Sequence, residues 1–212
     1  LVIEATLPPM SLTPLLLQPK ADTAAADPII KPQQQPNAGP FTIENAYLTL
    51  QFNGKGALVS VTRKSSSTDA PLKMAVAIEP RAYTPHHATG NHHDKDQPSG
   101  AYIFRPNASA APIRPDGTPL SFTLVSDSDA GVMQEVRQVW SEWLNVTIRL
   151  TREAKAVEML VTAGPLPVTN GTELIMHMST DIKSDGLMYS DANGREMQER
   201  KRDYRPSWKF VN

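Results

Sequence analysis

The loop His86-His87 … His92-His93-Asp94 gathers four of the five histidines of this 212-residue chain beside a carboxylate. Imidazole nitrogens with an aspartate are ligand types that zinc and copper accept. The residues around them, Thr84, Pro85, Gly90, Asn91, Lys95, Asp96, Gln97 and Pro98, spell a polar loop with little to hold a coordination sphere in shape. A solvated loop is therefore expected, and no metal ligand is assigned. The fifth histidine, His177, alternates onto the polar face of its run, as a surface histidine does. Cleavage of a glycosidic bond needs two carboxyl groups about 5 to 9.5 Å apart. Here the acidic residues stand singly among turns or beside bases, so no catalytic pair is nominated in this chain. No nucleophile elbow and no phosphate-cradling glycine loop is present either.

The run Glu199 to Lys209, ERKRDYRPSWK, interleaves Arg200, Lys201, Arg202, Arg205 and Lys209 with Tyr204 and Trp208. Single-stranded nucleic acid binders use that mixture, but Glu199 and Asp203 break the positive charge that backbone binding rests on. Carbohydrate fits better: guanidinium forks hydrogen-bond hydroxyls, and aromatic faces pack on apolar sugar faces. Partner class must come from such local features. With 21 basic against 22 acidic residues, the field of the whole chain favours neither nucleic acid nor an anionic membrane. No run approaches the roughly 18 apolar residues of a membrane span. No cysteine is present, which excludes a disulfide framework and a thiolate metal site. Three glycosylation acceptor patterns, at Asn107, Asn145 and Asn170, point to the secretory route. The chain begins at Leu1 without a leader pattern and reads as cut from something longer.

The elements that must position these residues are short strands. Ala46, Leu48, Leu50 and Phe52 alternate with polar neighbours, Asn53-Gly54-Lys55-Gly56 tolerates positive φ, and Ala57, Val59 and Val61 resume the pattern, which predicts a hairpin. Further period-two runs are Leu72 to Ile78, ended by Pro80, then Leu120 to Leu124, Leu144 to Leu150, Val157 to Val161 and Leu174 to Met178. Val132, Val136, Val139, Trp140 and Trp143 also fit a helical face, but they feed straight into the run at Leu144 and are read as strand. Many short strands at near-regular spacing predict a mostly β fold, a sandwich of antiparallel sheets over 41–212. Eight of the 19 prolines fall in the first 40 residues, so 19–40 is expected to be an extended linker or cleaved loop. Residues 1–18 carry two short apolar runs that need partners outside the chain, a strand appendage completing a neighbouring small β domain.

Two stretches are more specific. SGAYIFRPN at Ser99–Asn107 and GLMYSDANGREMQERKRDYRPSW at Gly186–Trp208 resemble the central and late motifs of glycoside hydrolase family 38 α-mannosidases, with an ending like that of the lysosomal subgroup. The segments VMQEVRQVWSEW, GPLPV and IEATLPPM are similar to that family as well. The resemblance implies a galactose-mutarotase-like β-sandwich that packs against a separate catalytic domain. It implies a retaining, zinc-dependent hydrolase of terminal α-linked mannose on N-glycan oligosaccharides, with the zinc bound by another chain of the same enzyme. The family's zinc motifs do not occur here, since His92-His93-Asp94 matches one for three letters and departs at Lys95. It further implies a lysosomal, vacuolar or secreted protein, proteolytically split into chains that stay associated, and leaves a homo-oligomer of the assembled enzyme open. This chain alone would be inactive. Carried over residue by residue, the tyrosine of SGAY is Tyr102, expected on the bound mannose, and the arginine seven residues after Asn193 is Arg200, expected at the same pocket. The plainer alternatives are a sandwich-core tyrosine and an interdomain ion-pair arginine. A secreted, non-catalytic β-sandwich that binds carbohydrate or protein is the rival reading.

Overall fold

The computed structural model of the chain describes residues 9–10, 14, 30–34, 39–90, 92–127, 131–166 and 171–205. The appendage expected over 1–18 therefore lies almost entirely outside the described residues. The chain divides into two units, 1–180 and 181–212.

The first unit is the predicted antiparallel sandwich. One sheet has the order β1(Ile30–Gln34)-β7(Ser121–Asp127)-β8(Met133–Ser141)-β9(Leu144–Thr151)-β10(Glu158–Ala163). The other runs β11(Glu173–Thr180)-β5(Leu72–Tyr83)-β4(Leu58–Arg63)-β3(Leu48–Phe52)-β2(Phe41–Glu44), with the short β6(Ala111–Pro112) added to β5. One hydrophobic core draws from both sheets. In β9 the strict alternation puts Leu144, Val146, Ile148 and Leu150 inward at no more than 2% exposure. Burying each such side chain stabilises by about 1.5–3 kcal/mol. A stack of phenyl rings crosses the interior: Phe41 lies 5.0 Å from Phe52 and 5.2 Å from Phe122, both nearly parallel.

Polar side chains fix how the sheets face each other. The buried Gln138 donates Nε2–H to the carbonyl of Gly56 at 2.6 Å and accepts from Trp140 Nε1–H at 3.0 Å. Gln134 donates to Glu44 O at 2.6 Å, tying β8 to β2. Asn45 donates to the carbonyls of Thr151 and Ala154 while its oxygen accepts from Tyr47 and Leu48 N–H. On the opposite face of the first sheet, Val125, Glu135, Arg149 and Glu158 pair in a row across β7, β8, β9 and β10. Glu135 is only 1% exposed and is held by Arg137 and Arg149.

The segment that also fitted a helix is the expected strand, β8, because Val136, Gln138 and Trp140 share the inner face at period two. Other expectations change. In β4, Val59 does not point inward: Gln51 pairs with Ser60 and Phe52 with Leu58, so Val59 is the extra residue of a bulge and is exposed while Leu58 is buried. The run at Leu72 does not stop at Pro80 but continues to Tyr83. On the edge away from β11, β4 pairs with Leu72–Ala75 and β6 with Arg81 and Ala82, leaving Pro80 in the gap. Its carbonyl accepts from Ile113 N–H on that edge, so its missing N–H faces away from β11 and costs no bond to that strand. Within the proline-rich stretch 19–40, Ile30–Gln34 pairs with β7 as an edge strand, a place where Pro32 is tolerated.

Gly56 has φ +80 in the β3–β4 turn, and a Cβ there would run into the Phe122 ring. Gly56→Ala should therefore lower stability by about 2–4 kcal/mol, combining left-handed backbone strain with overpacking. Denaturant unfolding of the chain checks this, and a change under about 1 kcal/mol would contradict the packing described.

Candidate functional site

Between β5 and β6 the chain makes a closed excursion that contains both the histidine-rich segment and SGAYIFRPN. Its neck is zipped: Thr84 O accepts Asn107 N–H at 2.9 Å, Arg105 O accepts His86 N–H at 2.8 Å, and Pro85 bridges Pro106. Inside, the Arg105 guanidinium donates to the carbonyls of Asp94 and Gln97, holding a short 3-10 turn at Asp94–Asp96 against the returning strand. Gly100 and Ile103 exchange two backbone hydrogen bonds, 3.0 and 3.2 Å, which closes a turn with Ala101 and Tyr102 at its tip. Tyr102 is 101% exposed, outside the core that the two sheets of this chain form. Ile103 and Phe104 are exposed beside it, and Phe104 packs edge-on to Tyr83 at 4.9 Å. A groove of about 960 Å³ runs between this loop, at His86, His87 and Ser99, and the start of β11, at Thr172 and Glu173.

Both ring nitrogens of His86 are engaged within the loop, Nε2 with Lys95 O at 2.9 Å and Nδ1 with Asn107 Oδ1 at 3.2 Å. Among the described residues no group of three or more histidine, aspartate or glutamate side chains could hold a metal ion. The zinc implied by the resemblance thus has no fitting ligand set in the described part of this chain. His177 faces Glu79 at 3.7 Å.

The second unit is a hairpin, β12(Leu187–Asp191) with β13(Met197–Lys201). Its turn has Asn193 at φ 58 and Gly194 at φ 70, with Asp191 accepting the Gly194 N–H. The Asn-Gly dipeptide between two alternating runs was the signal for this hairpin, and the motif reading passed over it. Pairing opposite Met188 puts Arg200 on one face with Ser190 and Gln198. Its guanidinium donates to Ser190 Oγ at 3.1 Å and Gln198 Oε1 at 2.7 Å, both neutral oxygens. On the other face Tyr189 donates to Glu199 at 2.8 Å, and that carboxylate raises the pKa of the phenol. Met188, Tyr189, Met197 and Tyr204 are all exposed. Arg200 and Lys201 alternate onto opposite faces, so the basic run forms no single track through β13. Residues 206–212, with Trp208 and Lys209, lie outside the described residues. Tyr102 and Arg200 belong to different units.

Of the glycosylation acceptors, Asn145 sits exposed on the outward face of β9. Asn107 is exposed, but its amide nitrogen donates to Pro85 O at 2.9 Å. Asn170 lies outside the described residues. Two carboxyl groups are held ionised below their ordinary range. The Thr118 hydroxyl, and then Lys55, lower Asp116 to about 2, and Lys64 with Thr49 lowers Glu44.

Residues 43–210 match the model of the glycosyl hydrolases family 38 C-terminal domain. A lysosomal alpha-mannosidase of Felis catus is 35% identical over 193 residues, covering 85% of this chain and 17% of that protein. One from Dictyostelium discoideum is 33% identical over 81% of this chain and 16% of its own length. A probable alpha-mannosidase of Arabidopsis thaliana is 27% identical over 99% of this chain and 20% of its own length. The chain thus spans about a fifth or less of the curated relatives named.

A carboxyl depressed in the folded state adds stability above its unfolded pKa and loses it as pH falls through the folded value. Asp116 is therefore expected to stay ionised well below 3.8 and to titrate near 2. Carboxyl-detected NMR titration of the chain checks this; a midpoint at or above 3.8 would mean that the Lys55 and Thr118 contacts do not persist in solution.

Proposed function

This chain belongs to glycosyl hydrolase family 38 through its C-terminal domain, and from that premise we propose that it is the pocket-completing, non-catalytic part of a retaining α-mannosidase. The whole protein trims terminal α-linked mannose from N-glycan-derived oligosaccharides, in a lysosome, a vacuole or outside the cell. A zinc ion and the catalytic carboxylates are carried by another part of the same protein, which is proteolytically processed and remains associated with this chain. When bound there, the zinc supplies a Lewis acid that orients sugar hydroxyls. The residues of this chain bind and orient.

The observation that carries this reading is the presentation of Tyr102. A tyrosine at a fully exposed loop tip, on a neck fixed by backbone hydrogen bonds, has no role in its own fold and is set out for another surface. Its phenol can donate to a sugar hydroxyl or to a carboxylate. Arg200 is a second donor, oriented by Ser190 and Gln198 with its charge uncompensated by either. The exposed Met188, Tyr189 and Met197 give the hairpin apolar faces that a two-stranded ribbon cannot bury by itself, which favours docking against the rest of the protein. The rival reading, a free-standing carbohydrate-binding sandwich, has in its favour the closed core of the first unit. Co-purification with larger chains of the same protein supports the enzyme reading; a stable monomer with affinity for mannosides and no partner supports the module.

Three outcomes are expected. The purified chain alone does not hydrolyse a chromogenic α-mannoside, and measurable turnover would defeat the proposal. In the complete protein, Tyr102→Phe lowers kcat roughly tenfold, the size of one lost hydrogen bond in the transition state, with assembly and Tm unchanged. Arg200→Ala reduces kcat/KM by at least as much, because a charge-assisted hydrogen bond is the stronger kind; wild-type kinetics in either variant would remove that residue from the pocket.

A further inference from the structure

The strand register sorts the outward face of the first sheet, away from the shared core, into rows. Beside the row of Val125, Glu135, Arg149 and Glu158 lies that of Thr123, Arg137, Thr147 and Leu160. The next row is Ser121, Val139, Asn145 and Thr162, and all four of its residues are exposed. Asn145 heads the acceptor tripeptide Asn145-Val146-Thr147. The period of a strand sends its asparagine and threonine to this face, while Val146 turns inward at 1% exposure. The Asn145 side chain makes no hydrogen bond among the described residues. Val139 and Leu160 are the apolar members of these two rows, and Asn145 and Thr147 stand between them on β9. A protein interface is built around a contiguous apolar centre, whereas this face is a field of hydroxyls with two separated apolar side chains.

Asn107, in the tripeptide Asn107-Ala108-Ser109, is exposed as well, but its amide is spoken for. Its backbone N–H bonds Thr84 O at 2.9 Å, its Nδ2 donates to Pro85 O at 2.9 Å, and its Oδ1 lies 3.2 Å from His86 Nδ1. Both ends of the side chain are turned into the neck of the loop between β5 and β6. A saccharide takes the place of one hydrogen on Nδ2 and lies against whatever that nitrogen faces. At Asn107 it meets a backbone carbonyl and competes with the closure of the neck. At Asn145 it leaves the sheet roughly perpendicular to the ladder, so that pairing to β8 and β10 is untouched.

We propose that Asn145 carries an N-linked oligosaccharide while Asn107 stays unmodified in the folded protein, which makes the outward face around β9 a glycan-bearing solvent face. The inference rests on the secretory route in the reading above and is independent of the sugar pocket. The modification is a group transfer from a lipid-diphosphate-linked oligosaccharide, catalysed by a transferase of that route. The bond from Asn145 Nδ2 to the anomeric carbon forms as the bond from that carbon to the diphosphate oxygen breaks. The leaving diphosphate takes the electron pair, and the proton lost from Nδ2 passes to it. Transfer takes place on the extended chain, and the fold then accommodates the product on β9 but not at the neck.

Site occupancy in the complete protein, made in a secreting eukaryotic host, tests this. Enzymatic release of N-glycans in heavy-oxygen water turns each occupied asparagine into a labelled aspartate, which peptide mass spectrometry locates. Asn145 should be labelled in most molecules and Asn107 in few or none. Labelling of Asn107 equal to that of Asn145 or above it overturns the proposal, as does a bare Asn145 in a protein labelled elsewhere. A protein without an N-glycan at any site overturns the secretory route as well, while the kinetics of Tyr102→Phe judge the sugar pocket separately. Thr147→Ala keeps Asn145 but removes the acceptor hydroxyl, and should lose the mass of one glycan; an unchanged mass counts against the assignment. Thr162→Arg sets a charge in the same row without touching the tripeptide, and should leave turnover and association with the rest of the protein as in wild type. Dissociation in that variant would mean that the face is docked, and would overturn its exposure to solvent.

Discussion

The structure depends on one buried amide. Two sheets meeting across an apolar gap gain burial in many relative positions, and burial by itself does not choose among them. Gln138 chooses: its two ends engage Gly56 O in one sheet's hairpin and Trp140 Nε1 in its own strand, both out of contact with water. A shift of one residue would strand two buried polar groups, each worth about 1–3 kcal/mol. The position of Gly56 against Phe122, and the phenyl stack through Phe41 to Phe52, follow from that alignment. Gln134 and Asn45 repeat the device at the ends of the strands. This fixed body is the base from which β5 extends to the loop carrying Tyr102.

Much of the sandwich was legible because burial follows a period of two. Leu144, Val146, Ile148 and Leu150 state the face of β9 outright. Where the reading slipped, a second strand decided. Val59 alternates correctly in sequence, but the bulge opposite Gln51 and Phe52 turns it out, and a bulge is a property of the pair. Pro80 marks a strand end by its missing N–H, but the strand continues because that N–H would face away from β11. β8 is strand as expected although Val132, Val136 and Val139 also stand at helix-like intervals, because it pairs on both sides.

The candidate site was less legible, for a related reason. The sequence nominates Tyr102 by its motif, but its exposure comes from contacts between residues about twenty apart, such as Asn107 with Thr84 and Pro85. His86 looked like one of four equivalent histidines and is distinguished by what its two nitrogens meet. Arg200 is placed by the β12–β13 register, which its Asn-Gly turn sets.

The row Val125, Glu135, Arg149, Glu158 has its own implication. A carboxylate this deeply covered, straddled by two guanidinium groups that themselves reach solvent, is tolerable only as a set. Removal of either arginine leaves the other to shoulder the whole neutralisation, whereas joint replacement by apolar residues would relieve the desolvation cost outright. Over evolutionary time Glu135, Arg137 and Arg149 should therefore drift together or not at all, so that their covariation across homologous chains would mark the middle of this sheet more faithfully than the hydrophobic pattern does.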